Sequence, residues 1–249
     1  MITAFDFIKN HIHADSINIS LIGHSEGGLI APKVANHRKI RSIILLAGPG
    51  IPVIDLMTEQ NAAILRSSKV NEATVQGYSK LYRDVVKTLS GNKDTAKAIK
   101  KAHNIMEKWI RNKDPQMLSD LQLNSETNRK TYISSMAETV TGPWFRYFMN
   151  YDPKKELRKL KGVHVFALNG NNDLQVISGS NLAGMRRNLK RSKAASFKVQ
   201  EINGVNHLFQ TCKKCTMFEY GELEETFSPS VLKLMSDWLA EISVEKKSP

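Results

Sequence analysis

One short motif constrains the fold of this chain more than any other feature. The segment 23–27 reads GHSEG, a match to the pattern G-x-S-x-G. The run 16–23 before it is apolar and short enough for a β-strand, and the pattern of 26–37 after it predicts a helix. A serine in a tight turn from strand to helix is lifted out of the sheet with its hydroxyl exposed. We therefore predict that Ser25 is a nucleophile.

The rest of the chain indicates an α/β fold with a helical insertion. Further strands are predicted at 40–47, 163–169 and 196–202. Further helices are predicted at 3–11, 180–189 and 229–242. Strands that alternate with helices are typical of a mostly parallel sheet. Between residues 51 and 150, apolar residues recur at helical spacing, and no segment has a convincing strand pattern. We therefore expect a core of about four strands from 1–49 and 151–249, and a helical cap from 50–150.

The net charge of +12, from 36 basic and 24 acidic residues, raises the question of a nucleic-acid partner. The excess is spread over both parts of the chain, with +5 in 50–150 and +7 in the remainder. The densest basic cluster, at 186–193, lies on a predicted helix and has no aromatic residue among its charges. We therefore expect a solvated helix face and no nucleic-acid partner. No run of about 18 apolar residues is present, so no membrane-spanning helix is predicted.

A serine hydroxyl is a weak nucleophile, so it needs a general base, and the base needs an orienting acid. Asp173 follows the next-to-last predicted strand, and His207 follows the last one. Because parallel strands end at one edge of a sheet, both side chains are expected at the edge that carries Ser25. Asp55, which follows the second predicted strand, is the alternative acid.

Glu26 is the candidate for one donor of an oxyanion hole, through its backbone N–H. The second donor normally comes from a loop after an early strand, and no such strand precedes Ser25. The Glu26 carboxylate has two interpretations. It either stabilises a helix N-terminus or binds a cationic or hydroxyl group of a substrate.

Substrate contact is predicted for an aromatic cluster and for one histidine. Trp144, Phe145 and Phe148 either pack the insertion against the core or form a wall of the substrate pocket. His24, directly before Ser25, is a further candidate for substrate contact.

The two cysteines, Cys212 and Cys215, form a C-x-x-C pair. With His207 they could imitate three zinc ligands, but a paired fourth ligand is missing. We therefore expect a surface loop with two free thiols and no metal site.

Together these stretches resemble the α/β-hydrolase superfamily, and most closely the bacterial serine hydrolases of the esterase and peptidase-like group. The motifs that carry the resemblance are LIGHSEGGLIAPKVA at 21–35, LLAGPGIP at 45–52, PWFRYFMNYDP at 143–153, ALNGNNDLQV at 167–176, NGVNHLFQ at 203–210 and EETFSPSVLKLMSDWL at 224–239. The resemblance implies Ser25 as nucleophile, Asp173 as acid and His207 as base. It also implies the Glu26 N–H as an oxyanion donor, 50–150 as a cap, and no cofactor.

By this resemblance the chain is expected to be a serine hydrolase that cleaves carboxylic esters through an acyl-enzyme. An exopeptidase that acts on short peptides is the alternative, and a truncated, catalytically impaired remnant is a third interpretation. Family members begin with several strands that are not found before Ser25. Met1 is therefore expected to be an internal start, the start of a natural truncation or the start of a prepared fragment.

The expected partner is a small-molecule ester or a short peptide. A homo-oligomer is a further expectation, because it would cover the open edge of the sheet. The compartment stays open. It is cytoplasmic if the chain is complete, and exported if a missing N-terminus carried a signal peptide.

Overall fold

The computed structural model describes residues 2–11 and 19–244, without the side chain of residue 244. The first residues of the predicted strand, 16–18, lie outside the described residues. The strands are β1 (Ser20–His24), β2 (Ser42–Leu46), β3 (His164–Gly170) and β4 (Ser196–Ile202). The α-helices are α1 (Ile2–His11), α2 (Gly27–Ala35), α3 (Val53–Ser67), α4 (Glu72–Gly91), α5 (Thr95–Ile110), α6 (Pro115–Asp120), α7 (Glu126–Val140), α8 (Pro143–Met149), α9 (Lys154–Lys159), α10 (Ser178–Leu189) and α11 (Pro229–Val244).

The chain divides into two compact units, 1–51 with 153–249, and 52–152. The first unit contains one sheet, with strand order β1-β2-β3-β4 and every pair parallel. The predicted α/β class and the parallel sheet of four strands are therefore confirmed. The strands pair in register over their full common length, from Ser20 opposite Ser42 to Gly170 opposite Ile202.

The central strands are apolar because they are buried on both faces. All five residues of β2 are buried, as are six of the seven in β3. Strand β4 has only exposed and half-buried positions, as expected of an edge strand. Strand β1 is the opposite edge of the described sheet, and Ile22 on it is 54% exposed. The homo-oligomer that would cover this edge stays a prediction.

The parallel topology brings three loops to one edge of the sheet. Ser25 follows β1, Asp173 lies three residues beyond β3, and His207 lies five residues beyond β4. Since all strands run in the same direction, their carboxyl ends meet at this edge.

His164 is an exception to the sequence-based expectations for the core. The predicted strand 163–169 contains His164, and a histidine inside a strand is expected to pack into the core, but this side chain is only half-buried at the start of β3. Its Nδ1 lies 2.8 Å from Ser196 Oγ on the paired strand β4. The expectation was wrong because this residue lies where β3 begins, at the border between the core and solvent.

The second unit, 52–152, contains α3 to α8 and no strand, as its helical stripes predicted. Its longest helix, α4, packs against α3, α5 and α7 through buried residues such as Leu81, Val85 and Leu89. Several helices begin with a side-chain cap. For example, Asn71 accepts from the Thr74 N–H at 2.9 Å. None of the described helices combines the length and the apolarity that a membrane crossing requires.

Candidate active site

Ser25 occupies a strained turn of only two residues between β1 and α2. Its φ of +54° lies in the left-handed region, which costs a residue with a side chain roughly 1–2 kcal/mol. The turn is held by the Ser25 N–H, which donates to Leu46 O at 2.8 Å, and by Ser25 O, which accepts from the Gly28 N–H at 2.9 Å. Such strain persists only where the surrounding structure imposes it, and it is concentrated at functional sites.

Two glycines make this turn sterically possible. A Cβ at position 23 would lie 2.1 Å from Gly27 O, and a Cβ at position 28 would lie 2.5 Å from Gly48 Cα. Both contacts are with backbone atoms, which cannot move aside as a flexible side chain would. Gly23 therefore allows the turn itself, and Gly28 allows α2 to pack closely on the loop after β2.

Asp173 and His207 form a buried pair. Asp173 Oδ2 lies 2.8 Å from His207 Nδ1, and the two side chains are 0% and 5% exposed. The other carboxylate oxygen, Oδ1, accepts from the backbone N–H groups of Gln175 at 2.7 Å and Val176 at 2.9 Å. Because an ionised carboxylate only accepts, the proton of neutral His207 lies on Nδ1. Its Nε2 then has a free lone pair and can act as a general base.

His24 contacts the catalytic candidates in a way that its sequence position did not indicate. Its Nε2 donates to the backbone carbonyl of His207 at 2.8 Å, and its ring packs 4.8 Å from the ring of His207. Loss of hydration lowers the pKa of His24, and the hydrogen bond to His207 O opposes this shift. His24 therefore holds the backbone of His207, while substrate contact by His24 stays a prediction.

A polar network that the sequence did not reveal surrounds the pair. Asn206 and Gln210 flank His207 and bond to each other through their side-chain amides at 3.0 Å. Gln210 Nε2 also donates to Tyr220 O at 3.1 Å, and Gln175 Nε2 donates to the Tyr220 hydroxyl at 3.2 Å. Amides and a tyrosine in a loop have no distinctive spacing, so no sequence signal pointed to them.

Tyr220 lies beside both members of the pair. Loss of hydration raises the pKa of the Tyr220 hydroxyl, and hydrogen bonds with Gln175 and with the His207 backbone oppose this rise. The negative charge of Asp173 raises it further. Tyr220 is thus protonated at neutral pH and available as a hydrogen-bond partner.

The prediction of free thiols was wrong, because Cys212 and Cys215 form a disulfide. Their Cα atoms lie 5.0 Å apart, since the turn between them folds back on itself. The side chain of Glu219 lies with them in a cluster whose ligand-type atoms are all within 4.8 Å of one another. Sulfurs joined in a disulfide are not thiolates, which are the form that binds a metal. His207, the third ligand considered from the sequence, bonds to Asp173 instead.

The backbone N–H of Glu26 is the candidate for one oxyanion donor. Among the described residues, no backbone carbonyl accepts from the N–H of Glu26, which directly follows Ser25. Its carboxylate is exposed and makes no side-chain cap to α2. The oxyanion role of the N–H and any substrate contact by the carboxylate both stay predictions.

The remaining candidates lie in the helical unit. On α8, the rings of Trp144 and Phe148 stack with their centroids 5.0 Å apart, and the ring of Phe145 packs edge-on against both. Trp144 is 52% exposed, and substrate contact by the three rings stays a prediction. Asp55 lies in the first turn of α3 and pairs with Arg83. Asp55 thus has a partner of its own, whereas Asp173 bonds directly to His207.

No family model matches the chain, and no curated protein matches it either. Among solved structures, VinJ is 12% identical with a TM-score of 0.49, over 97% of this chain and 71% of VinJ. The meta-cleavage product hydrolase of Pseudomonas fluorescens IP01 is 11% identical with a TM-score of 0.38, over 83% of this chain and 63% of that one. The monoacylglycerol lipase of Paleococcus ferrophilus is 16% identical with a TM-score of 0.41, over 97% of this chain and 74% of the lipase.

The α/β fold class is shown by the parallel sheet of this chain. The chain spans less than two thirds of the meta-cleavage product hydrolase. At such low identities and TM-scores, the function proposed below rests on the geometry of the chain's own residues.

Proposed function

We propose that this chain belongs to the α/β-hydrolase fold family and is a serine hydrolase that cleaves carboxylic esters. The observation that carries the proposal is the strained φ of +54° at Ser25, at the same sheet edge as the buried Asp173–His207 pair. A serine in a strained turn, a base with a free ring nitrogen and a charged orienting group are the three parts of a nucleophilic triad.

The reaction begins when His207 Nε2 accepts the Ser25 proton as Oγ attacks the ester carbonyl. The oxyanion that forms accepts a hydrogen bond from the Glu26 N–H, at the start of α2 where the helix dipole also favours negative charge. Collapse expels the alcohol, which takes the proton from His207. A water activated by His207 then hydrolyses the acyl-enzyme, and Asp173 stabilises the imidazolium at both stages.

Among the described residues, no hydrogen bond joins the Ser25 hydroxyl to His207. Hydrogen bonds of this kind are often long in a free enzyme and tighten when substrate binds. The helical unit 52–152 serves as a cap in this proposal, with Trp144, Phe145 and Phe148 as candidate substrate contacts.

An ester is favoured over a peptide for a chemical reason. One oxyanion donor can be assigned, and loss of a donor typically costs about 10²–10³ in rate. An ester tolerates this loss better, because its carbonyl has less resonance stabilisation than an amide carbonyl and is attacked more readily.

Turnover of short p-nitrophenyl esters and labelling by a fluorophosphonate test the proposal. We expect both in the unchanged chain and neither in Ser25→Ala. Ser67→Ala is the matched control, since Ser67 is exposed on α3 and bonds only to Ile64 O. Ester turnover that survives in Ser25→Ala contradicts the proposal. Faster hydrolysis of aminoacyl anilides than of esters favours the exopeptidase, and absence of labelling favours an impaired remnant.

A further inference from the structure

The segment 212–222 contains the disulfide and a short 3₁₀ turn, Met217–Glu222, directly after it. Both cysteines are half-exposed, so a small reagent can reach the sulfurs. The segment is anchored to the loop that carries His207. The Cys212 N–H donates to Gly204 O at 3.1 Å, and Asn172 Nδ2 lies 3.6 Å from Cys212 Sγ.

Glu219 closes the disulfide turn from inside. Its buried carboxylate accepts from the backbone N–H groups of Lys213 at 3.1 Å, Lys214 at 2.9 Å and Cys215 at 2.6 Å. These bonds lower the pKa of Glu219, with the Lys214 N–H as the largest cause. Three adjacent N–H groups converge on one carboxylate because the turn between the cysteines points them inward. Anything that opens this turn therefore weakens the hold on Glu219.

Tyr220, the next residue, connects the turn to the catalytic candidates on two sides. Its hydroxyl accepts from Gln175, whose own N–H donates to Asp173 Oδ1. Its carbonyl accepts from Gln210, whose N–H donates to Asn206 Oδ1 beside His207. Hydrogen bonds, together with the peptide links from Glu219 to Tyr220 and from Asn206 to His207, thus connect the disulfide turn to both members of the pair.

We propose that the Cys212–Cys215 disulfide braces the Asp173–His207 pair through Glu219 and Tyr220, and that its reduction by a dithiol reversibly lowers hydrolytic activity. This proposal rests on the hydrolase function above. A thiolate of the dithiol attacks one cysteine sulfur and breaks the S–S bond, forming a mixed disulfide. The second thiol of the reagent displaces that cysteine. Two electrons and two protons pass to the cysteines, and the dithiol leaves as a cyclic disulfide.

Glu219 and Tyr220 are positioning residues in this proposal, because they act through Asp173 and His207. Displacement of a catalytic group by about 1 Å can cost about a hundredfold in rate. The hydrogen bond from His24 to His207 O remains after reduction, so we expect a smaller loss of roughly tenfold in kcat. Because substrate contacts are not part of the brace, KM should change by less than about twofold.

The chain offers an internal control, because Cys212 and Cys215 are its only cysteines. Ester turnover is measured before and after treatment with dithiothreitol, with thiol titration to verify reduction and circular dichroism to verify the fold. Oxidised glutathione should restore kcat. The double variant Cys212→Ser/Cys215→Ser should resemble the reduced chain and should not respond to dithiothreitol. Tyr220→Phe keeps the disulfide, but reduction of the disulfide should lower the kcat of this variant much less than that of the unchanged chain.

Two results overturn the brace. One is an unchanged kcat in a chain whose reduction is verified by thiol titration. The other is a loss of kcat on dithiothreitol treatment that is as large in the double serine variant as in the unchanged chain.

A spectroscopic measurement separates this proposal from the function. The proton between His207 Nδ1 and Asp173 gives a low-field NMR signal, assigned by its absence in His207→Gln. If the oxidised chain neither turns over esters nor labels at Ser25, the hydrolase function fails. The brace is then decided by this signal alone. Its weakening on reduction supports the brace, and its persistence overturns it.

Discussion

Replacement of Asp173 by asparagine tests the catalytic assignment most directly, because the structure dictates how the new amide must orient. Asp173 Oδ1 accepts two backbone N–H groups, whereas Oδ2 accepts from His207 Nδ1 and from no other donor in the part of the chain that the structure describes. In Asp173→Asn the amide oxygen must take the Oδ1 position, since an NH₂ group there would face two donors. The NH₂ group therefore faces His207.

This orientation reverses the tautomer of His207. Nδ1 must accept from the new NH₂ group, so the ring proton moves to Nε2, which can no longer accept the proton of Ser25. The wrong tautomer in a triad costs about 10⁴ in kcat. That loss corresponds to about 5.4 kcal/mol at about 1.36 kcal/mol for each factor of ten. Stability should fall by only about 1–3 kcal/mol, because hydrogen bonds lose charge assistance but remain in place.

The assay is kcat and KM for a short p-nitrophenyl ester, with urea unfolding to follow stability. Asp55→Asn is the matched control, because Asp55 is the rival acid and pairs with the half-exposed Arg83. The control should retain kcat and lose about 0–1 kcal/mol of stability. A kcat for folded Asp173→Asn within about tenfold of the unchanged chain refutes the reasoning, and so does a larger loss in Asp55→Asn.

Two further predictions concern the turn that carries Ser25. Gly23→Ala should lose activity and several kcal/mol of stability, roughly 1–3 from overpacking alone, because the new Cβ would lie 2.1 Å from Gly27 O. Gly91→Ala, where a Cβ meets nothing within 4 Å, is the control in thermal unfolding, and equal losses would contradict the steric argument. The pKa of His24 is lower in the folded chain than its ordinary value of 6.5. As the pH drops below 6.5, the unfolded chain therefore takes up a proton on His24 before the folded chain does, and the folded state loses stability. His24→Gln keeps a donor for His207 O without titrating, and urea unfolding at several pH values should show a smaller acid loss than in the unchanged chain.

The elbow could be predicted from sequence because its causes are local. An apolar run, two close glycines and a helical pattern, all within the segment 16–37, specify a strand, a tight turn and a helix. The left-handed φ at Ser25 and the backbone contacts at Gly23 agree with that interpretation. Boundaries shifted slightly, with the helix beginning at Gly27 rather than at Glu26.

The proximity of the candidate acid and the candidate base could be predicted because topology converts order in the chain into position in space. Once the strands are parallel, residues that follow them meet at one edge. Sequence alone left Asp55 and Asp173 as alternatives. The direct contact of Asp173 with His207, and the pairing of Asp55 with Arg83, separate their environments.

The residues around the pair could not be predicted, because their contacts join segments distant in the chain. The hydrogen bond from His24 to His207 O spans 183 residues, and the one from Gln175 to Tyr220 spans 45. The cysteines were misinterpreted for a different reason. A C-x-x-C spacing is compatible with free thiols, a metal site or a disulfide, and only the path of the turn brings the sulfurs together.

The sequence by itself determined the α/β class, the helical character of 52–152 and the identity of the nucleophile candidate. These depend on periodicity and on short-range sterics, which each segment carries within itself. The tertiary structure decided which acid meets His207, what holds its backbone and whether the cysteines are joined. Those properties depend on distances between segments far apart in the chain, and only the packed sheet with its loops fixes such distances.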